Sequence, residues 1–133
     1  MKPATLVRWV TAFWLVWLIW PVPRAVAVDI DKGRLLAQKH CAVCHVVGKF
    51  NKFGGIGSTP SFQLLASLRD GVERFQSFYA RRPHPSFIFL PDQQPPTKLP
   101  LNAPPIQLTY EQVDDIVGFA KTLKDPRLAE PPQ

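Results

Sequence analysis

Thioether sulfur is almost missing from this chain: among 133 residues the only methionine is Met1. Cysteine is nearly as scarce, with Cys41 and Cys44 alone, and histidine is limited to His40, His45 and His84. Two thiols make at most half of a four-cysteine zinc site. Tryptophan is confined to Trp9, Trp14, Trp17 and Trp20. The longest apolar run, Trp9 to Trp20, has twelve residues, short of the about 20 that span a bilayer. No stretch alternates apolar and polar residues for long, so a sheet is not expected. No acid, base and nucleophile arrangement suggests independent catalysis, and the chain is not expected to be an enzyme.

What is present begins with an export segment. Lys2 and Arg8 form a basic start, the apolar run follows, and Ala25-Val26-Ala27 is a small-residue A-x-A site before Val28. Residues 1–27 are expected to be a secretory signal cleaved after Ala27, rather than a retained anchor, because Pro21, Pro23 and Arg24 interrupt the run. The mature chain, residues 28–133, is long enough for one domain and one modest core. Removing Lys2, Arg8 and Arg24 lowers the excess of basic over acidic residues from 16 against 10 to 13 against 10, or from +6 to +3. That gives little support to nucleic-acid binding.

The central motif is Cys41-Ala42-Val43-Cys44-His45. C-x-x-C-H is the attachment pattern of a c-type haem. Two thiols three residues apart share one face of a helical turn and add to the two vinyl groups of a porphyrin. His45 follows directly and reaches the iron from the proximal side. Haem c is attached after export, so signal and motif point to the same periplasmic location.

Helical patterns fill the mature chain. Asp29 or Asp31 caps a first helix that runs into the motif. A loop rich in glycine (Gly48, Gly54, Gly55, Gly57) comes next. Thr59-Pro60 is expected to start a short helix with Phe62, Leu65 and Ala66 on one face. Asp70-Gly71-Val72-Glu73 resembles a capping box before an apolar face of Val72, Phe75, Phe78 and Tyr79. Residues 83–105 hold eight prolines, which exclude helix interiors and central strands and predict a stiff extended loop. Thr109 and Gln112 form a capping box for a last helix carrying Val113, Ile116, Val117, Ala120 and Leu123, ended by Pro126.

This order of elements resembles a small bacterial class I cytochrome c. The resemblance rests most on C-x-x-C-H, with weaker support from Gly33-Arg-Leu-Leu, Thr59-Pro-Ser-Phe62 and Asp114-Asp-Ile-Val-Gly-Phe119. It covers residues 28 to 125. It implies an all-α fold of about four helices around one covalently bound haem, with a long proline-rich distal loop. It also implies a close crossing of first and last helices at Gly33 and Phe119. The implied function is one-electron transfer, and lysines such as Lys32, Lys39, Lys49 and Lys52 around the haem-binding stretch imply an acidic redox partner. A solvated lysine surface is the plainer account of the same residues.

The chain departs from that family at the second axial ligand. Class I cytochromes usually use a methionine, and Met1 leaves with the export segment. The corresponding stretch here is His84-Pro85-Ser86-Phe87-Ile88, with Phe87 where the sulfur would stand. Three readings are open for the sixth position. His84 supplies an imidazole; or the site is open or water-bound with Phe87 as its wall; or Lys98 or Asn102 ligates. His40 is expected to face solvent, since adjacent residues in a helix do not share a face. An open site would suit binding or sensing of a small gas. A third reading is a cytochrome subunit of a larger oxidoreductase, docked through the proline-rich loop.

Overall fold

A computed structural model describes residues 27–93 and 103–129. Residues 1–26 of the expected export segment, and the alternative ligands Lys98 and Asn102, lie outside these. Among the described residues no helix is long and apolar enough to cross a membrane.

The fold is mostly helical. The first helix, α1 (Ile30–His40), starts where Asp29 accepts from the Lys32 N–H at 2.9 Å, as the sequence predicts. Asp31 in its first turn and Lys39 in its last complement the helix dipole. The last helix, α4 (Tyr110–Lys121), opens with the predicted capping box: the Gln112 N–H donates to Thr109 Oγ1 at 3.2 Å, and the Thr109 N–H donates to Gln112 Oε1 at 2.9 Å. Its apolar stripe of Val113, Ile116, Val117 and Ala120 is buried. The helix ends before Pro126 is reached. Thr122 caps it, with its hydroxyl donating to the Phe119 carbonyl at 2.6 Å, and Pro126 instead opens a 3-10 turn, Pro126–Leu128.

α1 and α4 pack backbone to backbone. A Cβ on Gly33 would overlap the Asp115 carbonyl, so only glycine allows this approach. Phe119, one helical turn beyond Asp115, is buried in the core. Asp115 is itself buried at 4% exposure. Its Oδ1 accepts from the Asp29 N–H at 2.8 Å, and its Oδ2 lies 3.1 Å from Lys32 Nζ. A carboxylate on one helix thus holds the first turn of the other.

Between them lie two short helices, α2 (Phe62–Ser67) and α3 (Gly71–Gln76). The cap of α2 is Ser61, accepting from the Leu64 N–H at 3.1 Å, rather than Thr59. Pro60 stays outside the helix. At α3 the expected capping box does not form, because Asp70 Oδ1 accepts from Arg74 Nε at 2.8 Å and Glu73 accepts from Arg81 at 3.0 Å. Ion pairing has taken both carboxylates. Phe75 is buried, Val72 is exposed, and Phe78 and Tyr79 fall in a separate 3-10 turn, Phe78–Ala80.

In place of a purely extended loop, the described residues 83–93 of the proline-rich segment include a 3-10 turn, His84–Ser86, and a strand β1 (Ile88–Phe89) that pairs in parallel with β2 (Ile106–Gln107), just after the segment, in register Ile88↔Ile106. The paired residues lie between the prolines and so retain their N–H donors: Ile106 N–H donates to the Phe87 carbonyl at 2.7 Å and Leu108 N–H to Phe89 at 3.0 Å. Ile88 and Leu90 anchor this segment in the core beside Phe62, Phe75 and Ile116.

Candidate haem-binding cleft

The Cys41–His45 motif continues the last turn of α1. Cys41 is the cap residue, and its carbonyl accepts from the N–H of Cys44 at 3.1 Å and of His45 at 2.8 Å. Asn51 fastens the turn from the outside. Its amide donates to the carbonyls of Ala42 and His45, both at 2.8 Å, and its oxygen accepts from the buried Val47 N–H at 2.7 Å. Gln63 on α2 exchanges two hydrogen bonds with the backbone of Gly48, at 3.0 and 3.3 Å. The glycine loop closes over the motif where the Ile56 N–H donates to the Cys44 carbonyl at 2.9 Å. Gly55 makes this possible: it has φ +80°, and a Cβ there would stand 3.0 Å from that same carbonyl.

Cys41, Cys44, His45 and His84 open into one cavity of about 560 Å³, walled by apolar side chains that include Phe62 and Phe87. That size lies within the range of about 300–1,000 Å³ for ligand and cofactor pockets. Both cysteines are free. Burial first, and then the neighbouring Cys44, push the Cys41 thiol up to about 12. An unreacted Cys41 is therefore a neutral, apolar lining group.

His45 and His84 are each held by their backbone-facing nitrogen. His45 Nδ1 lies 2.8 Å from the Pro60 carbonyl, and His84 Nδ1 lies 3.1 Å from the Arg81 carbonyl. An Nδ1 proton donated to a carbonyl leaves Nε2 as the lone-pair nitrogen, the arrangement by which metal-binding histidines are oriented. His45 packs edge-on to Phe62 at 5.6 Å. His84 stands between Phe78 and Phe87, at 5.7 and 5.8 Å, edge to face with both. Burial, followed by the nearby His45, holds His84 below the usual histidine range, which favours the neutral ring that a metal requires.

The two imidazoles lie close together and nearly parallel along the cavity. Their centroids are 6.1 Å apart and their planes differ by 17°. His45 and His84 are the two imidazoles that could hold a haem iron in this cavity.

Comparison with protein families matches residues 30–124 to Cytochrome c. This chain belongs to the cytochrome c family. Comparison with the curated proteins and with solved structures gives no match. Membership in the cytochrome c family brings haem binding and electron transfer with it, together with a covalently held haem and redox partners. The residues present fit such a group, since two free thiols, two oriented imidazoles and an apolar wall share one cavity.

Other candidates fall as follows. Phe87 lines the cavity, but its ring also packs against His84, so wall and imidazole occur together. His40 does not face solvent fully as expected; at the end of α1 it is half-buried on the cavity rim, and burial and then Lys39 lower its pKa. Sequence reasoning missed the fastening role of Asn51 and Gln63. It also missed Arg74, Arg81 and Arg82, all of which line the cavity. The Arg81-Arg82 doublet just before Pro83-His84 was the available signal.

Proposed function

We propose that this cytochrome c is an exported, periplasmic mono-haem carrier of single electrons, whose iron is held between His45 and His84. Cys41 and Cys44 would hold the porphyrin by thioether bonds. The bound haem supplies the redox couple; the protein orients it, excludes water and sets its potential. The carrying observation is the His45–His84 pair, with centroids 6.1 Å apart, planes 17° apart and both Nδ1 atoms engaged by backbone carbonyls. Export is supported by the basic start, apolar run and A-x-A site of residues 1–27. An acidic partner is supported by charge, because residues 32–69, which include the haem motif, contain six Lys and Arg and no Asp or Glu.

The test is an absorption spectrum of the ferrous holoprotein with and without carbon monoxide. Two strong protein ligands give a low-spin spectrum that ignores the gas. A high-spin form that binds carbon monoxide would sink the bis-histidine reading and favour a gas-binding role. His84→Ala should convert the first behaviour into the second, and an unchanged spectrum in that variant would remove His84 as ligand.

A further inference from the structure

Two separate routes connect His84 to Tyr110, the first residue of α4. One runs through rings. Tyr110 meets Tyr79 edge to face at 6.4 Å, Tyr79 meets Phe78 at 6.0 Å, and Phe78 meets His84 at 5.7 Å. The other runs through the chain. The Tyr110 hydroxyl donates to Asp92 Oδ1 at 2.7 Å, and Asp92 lies in a turn closed by the Gln93 N–H on the carbonyl of buried Leu90 at 3.0 Å. From Leu90 the chain leads back through β1 to Phe87, whose N–H donates to the His84 carbonyl at 2.9 Å.

Residues 84–93 thus form a strap laid along the approach to α4. Ile106 and Leu108 donate their N–H groups to the carbonyls of Phe87 and Phe89 at 2.7 and 3.0 Å, and Tyr110 continues the row with a side-chain donor to Asp92. A hydrogen bond to a carboxylate is stronger than one between neutral groups. That bond also holds the Tyr110 phenol above the usual tyrosine range, so the hydroxyl stays a donor in neutral solution. Its base is firm, because the capping box of Thr109 and Gln112 fixes the first turn of α4.

Resting on the reading of His84 as the second iron ligand, we infer that Tyr110 is a positioning residue whose bond to Asp92 latches the strap and sets how readily His84 leaves the iron. Its action is indirect. It bears on Phe78 through Tyr79 and on the strap through Asp92. An external ligand binds only while His84 is away, so its apparent affinity is reduced by the fraction of time the position is open. Loosening the strap raises that fraction. The latch keeps the chain an electron carrier closed to small ligands.

The test is an equilibrium titration of the ferric, covalently loaded protein with cyanide, followed by absorption. Tyr110→Phe removes only the hydroxyl and should tighten apparent cyanide binding about two- to tenfold, the range of one net hydrogen bond, with the low-spin spectrum before cyanide unchanged. Asp92→Ala should have the same effect. The double variant should go no further than either single one, since both remove one shared bond. Asp92→Asn keeps a carbonyl acceptor and should recover much of the wild-type resistance. Wild-type affinity in both Tyr110→Phe and Asp92→Ala, or effects that add in the double variant, would overturn the latch and leave the bis-histidine reading standing. A high-spin wild-type spectrum before cyanide would overturn the His84 ligand and the latch with it.

Discussion

At the scale of single residues, the proposed bis-histidine iron would make the side chain at position 84 the one that sets the redox behaviour. Imidazole on both faces of an iron gives a lower potential than imidazole with thioether, because the sulfur ligand raises it. The wild-type potential should accordingly lie below that of His/Met cytochromes. His84→Met offers the missing thioether at the same backbone position, on an unbranched side chain able to fill the space between Phe78 and Phe87. The expected outcome is a low-spin haem with a raised potential in spectroelectrochemical titration. A potential unchanged from wild type would show that residue 84 does not touch the iron. Cys41, Cys44, His45 and His84 meet at one cavity; the first three stand out in the sequence because C-x-x-C-H is a fixed spacing, whereas His84 is one of three choices there, since nothing in a linear sequence says which loop residue reaches a cavity. Arg81 and Arg82 offered only a basic doublet beside Pro83-His84, and it is the fold that brings them to the cavity.

At the scale of elements, periodic helices with capping chemistry could be read and short irregular segments could not. α1 and α4 follow from Asp29, the Thr109–Gln112 pair and stripes at helical spacing. α2 and α3 have six residues each, so a single competing contact decides their caps, as when Arg74 and Arg81 claim Asp70 and Glu73. The β1–β2 pair is set by tertiary contact between segments far apart in sequence, which local pattern does not encode. The α1–α4 crossing yields a direct prediction. Gly33→Ala places a methyl group on the Asp115 carbonyl and forces the helices apart, at a cost of about 1–3 kcal/mol or more. Thermal unfolding should fall by roughly 4–8 °C per kcal/mol in a domain of this size. Gly57→Ala, with nothing within 4 Å of the added atom, should leave it almost unchanged. Equal melting temperatures for the two variants would contradict the close crossing. The loop makes a second prediction at this scale. Asn51→Ala strands the Val47 N–H and the carbonyls of Ala42 and His45, which should cost about 2 kcal/mol or more in denaturant titration. On the proposed bis-histidine reading the low-spin spectrum should persist, because His45 and His84 keep their own backbone partners. A high-spin spectrum in this variant would mean that Asn51 fixes the iron ligand as well as the turn.

At the scale of the whole molecule, net charge and local charge give different expectations for how electrons enter and leave. On the proposed cleavage of residues 1–27 the chain would carry +3, and the two propionates of one haem would bring this to +1. A nearly neutral protein viewed from far away should react with charged redox partners at rates almost insensitive to salt. The distribution is uneven, however. Residues 32–69 contain no carboxylate, Lys49 and Lys52 flank the glycine loop, and Val43, Phe50, Phe53 and Ile56 are exposed there at 75, 59, 95 and 52%. Ile56 also lines the cavity and bonds to the Cys44 carbonyl, so this face is continuous with the edge at which a thioether-bound haem would meet solvent. If electrons pass here, the local field governs encounter. Oxidation by an anionic hexacyanoferrate should slow as salt rises, while exchange with a cationic hexaammineruthenium complex should speed up. Reversing two charges with Lys49→Glu and Lys52→Glu should flatten or invert both slopes without changing the potential by a comparable amount. Flat salt profiles in the wild-type protein would place electron exchange at a different face, where the molecule's near-zero total charge prevails.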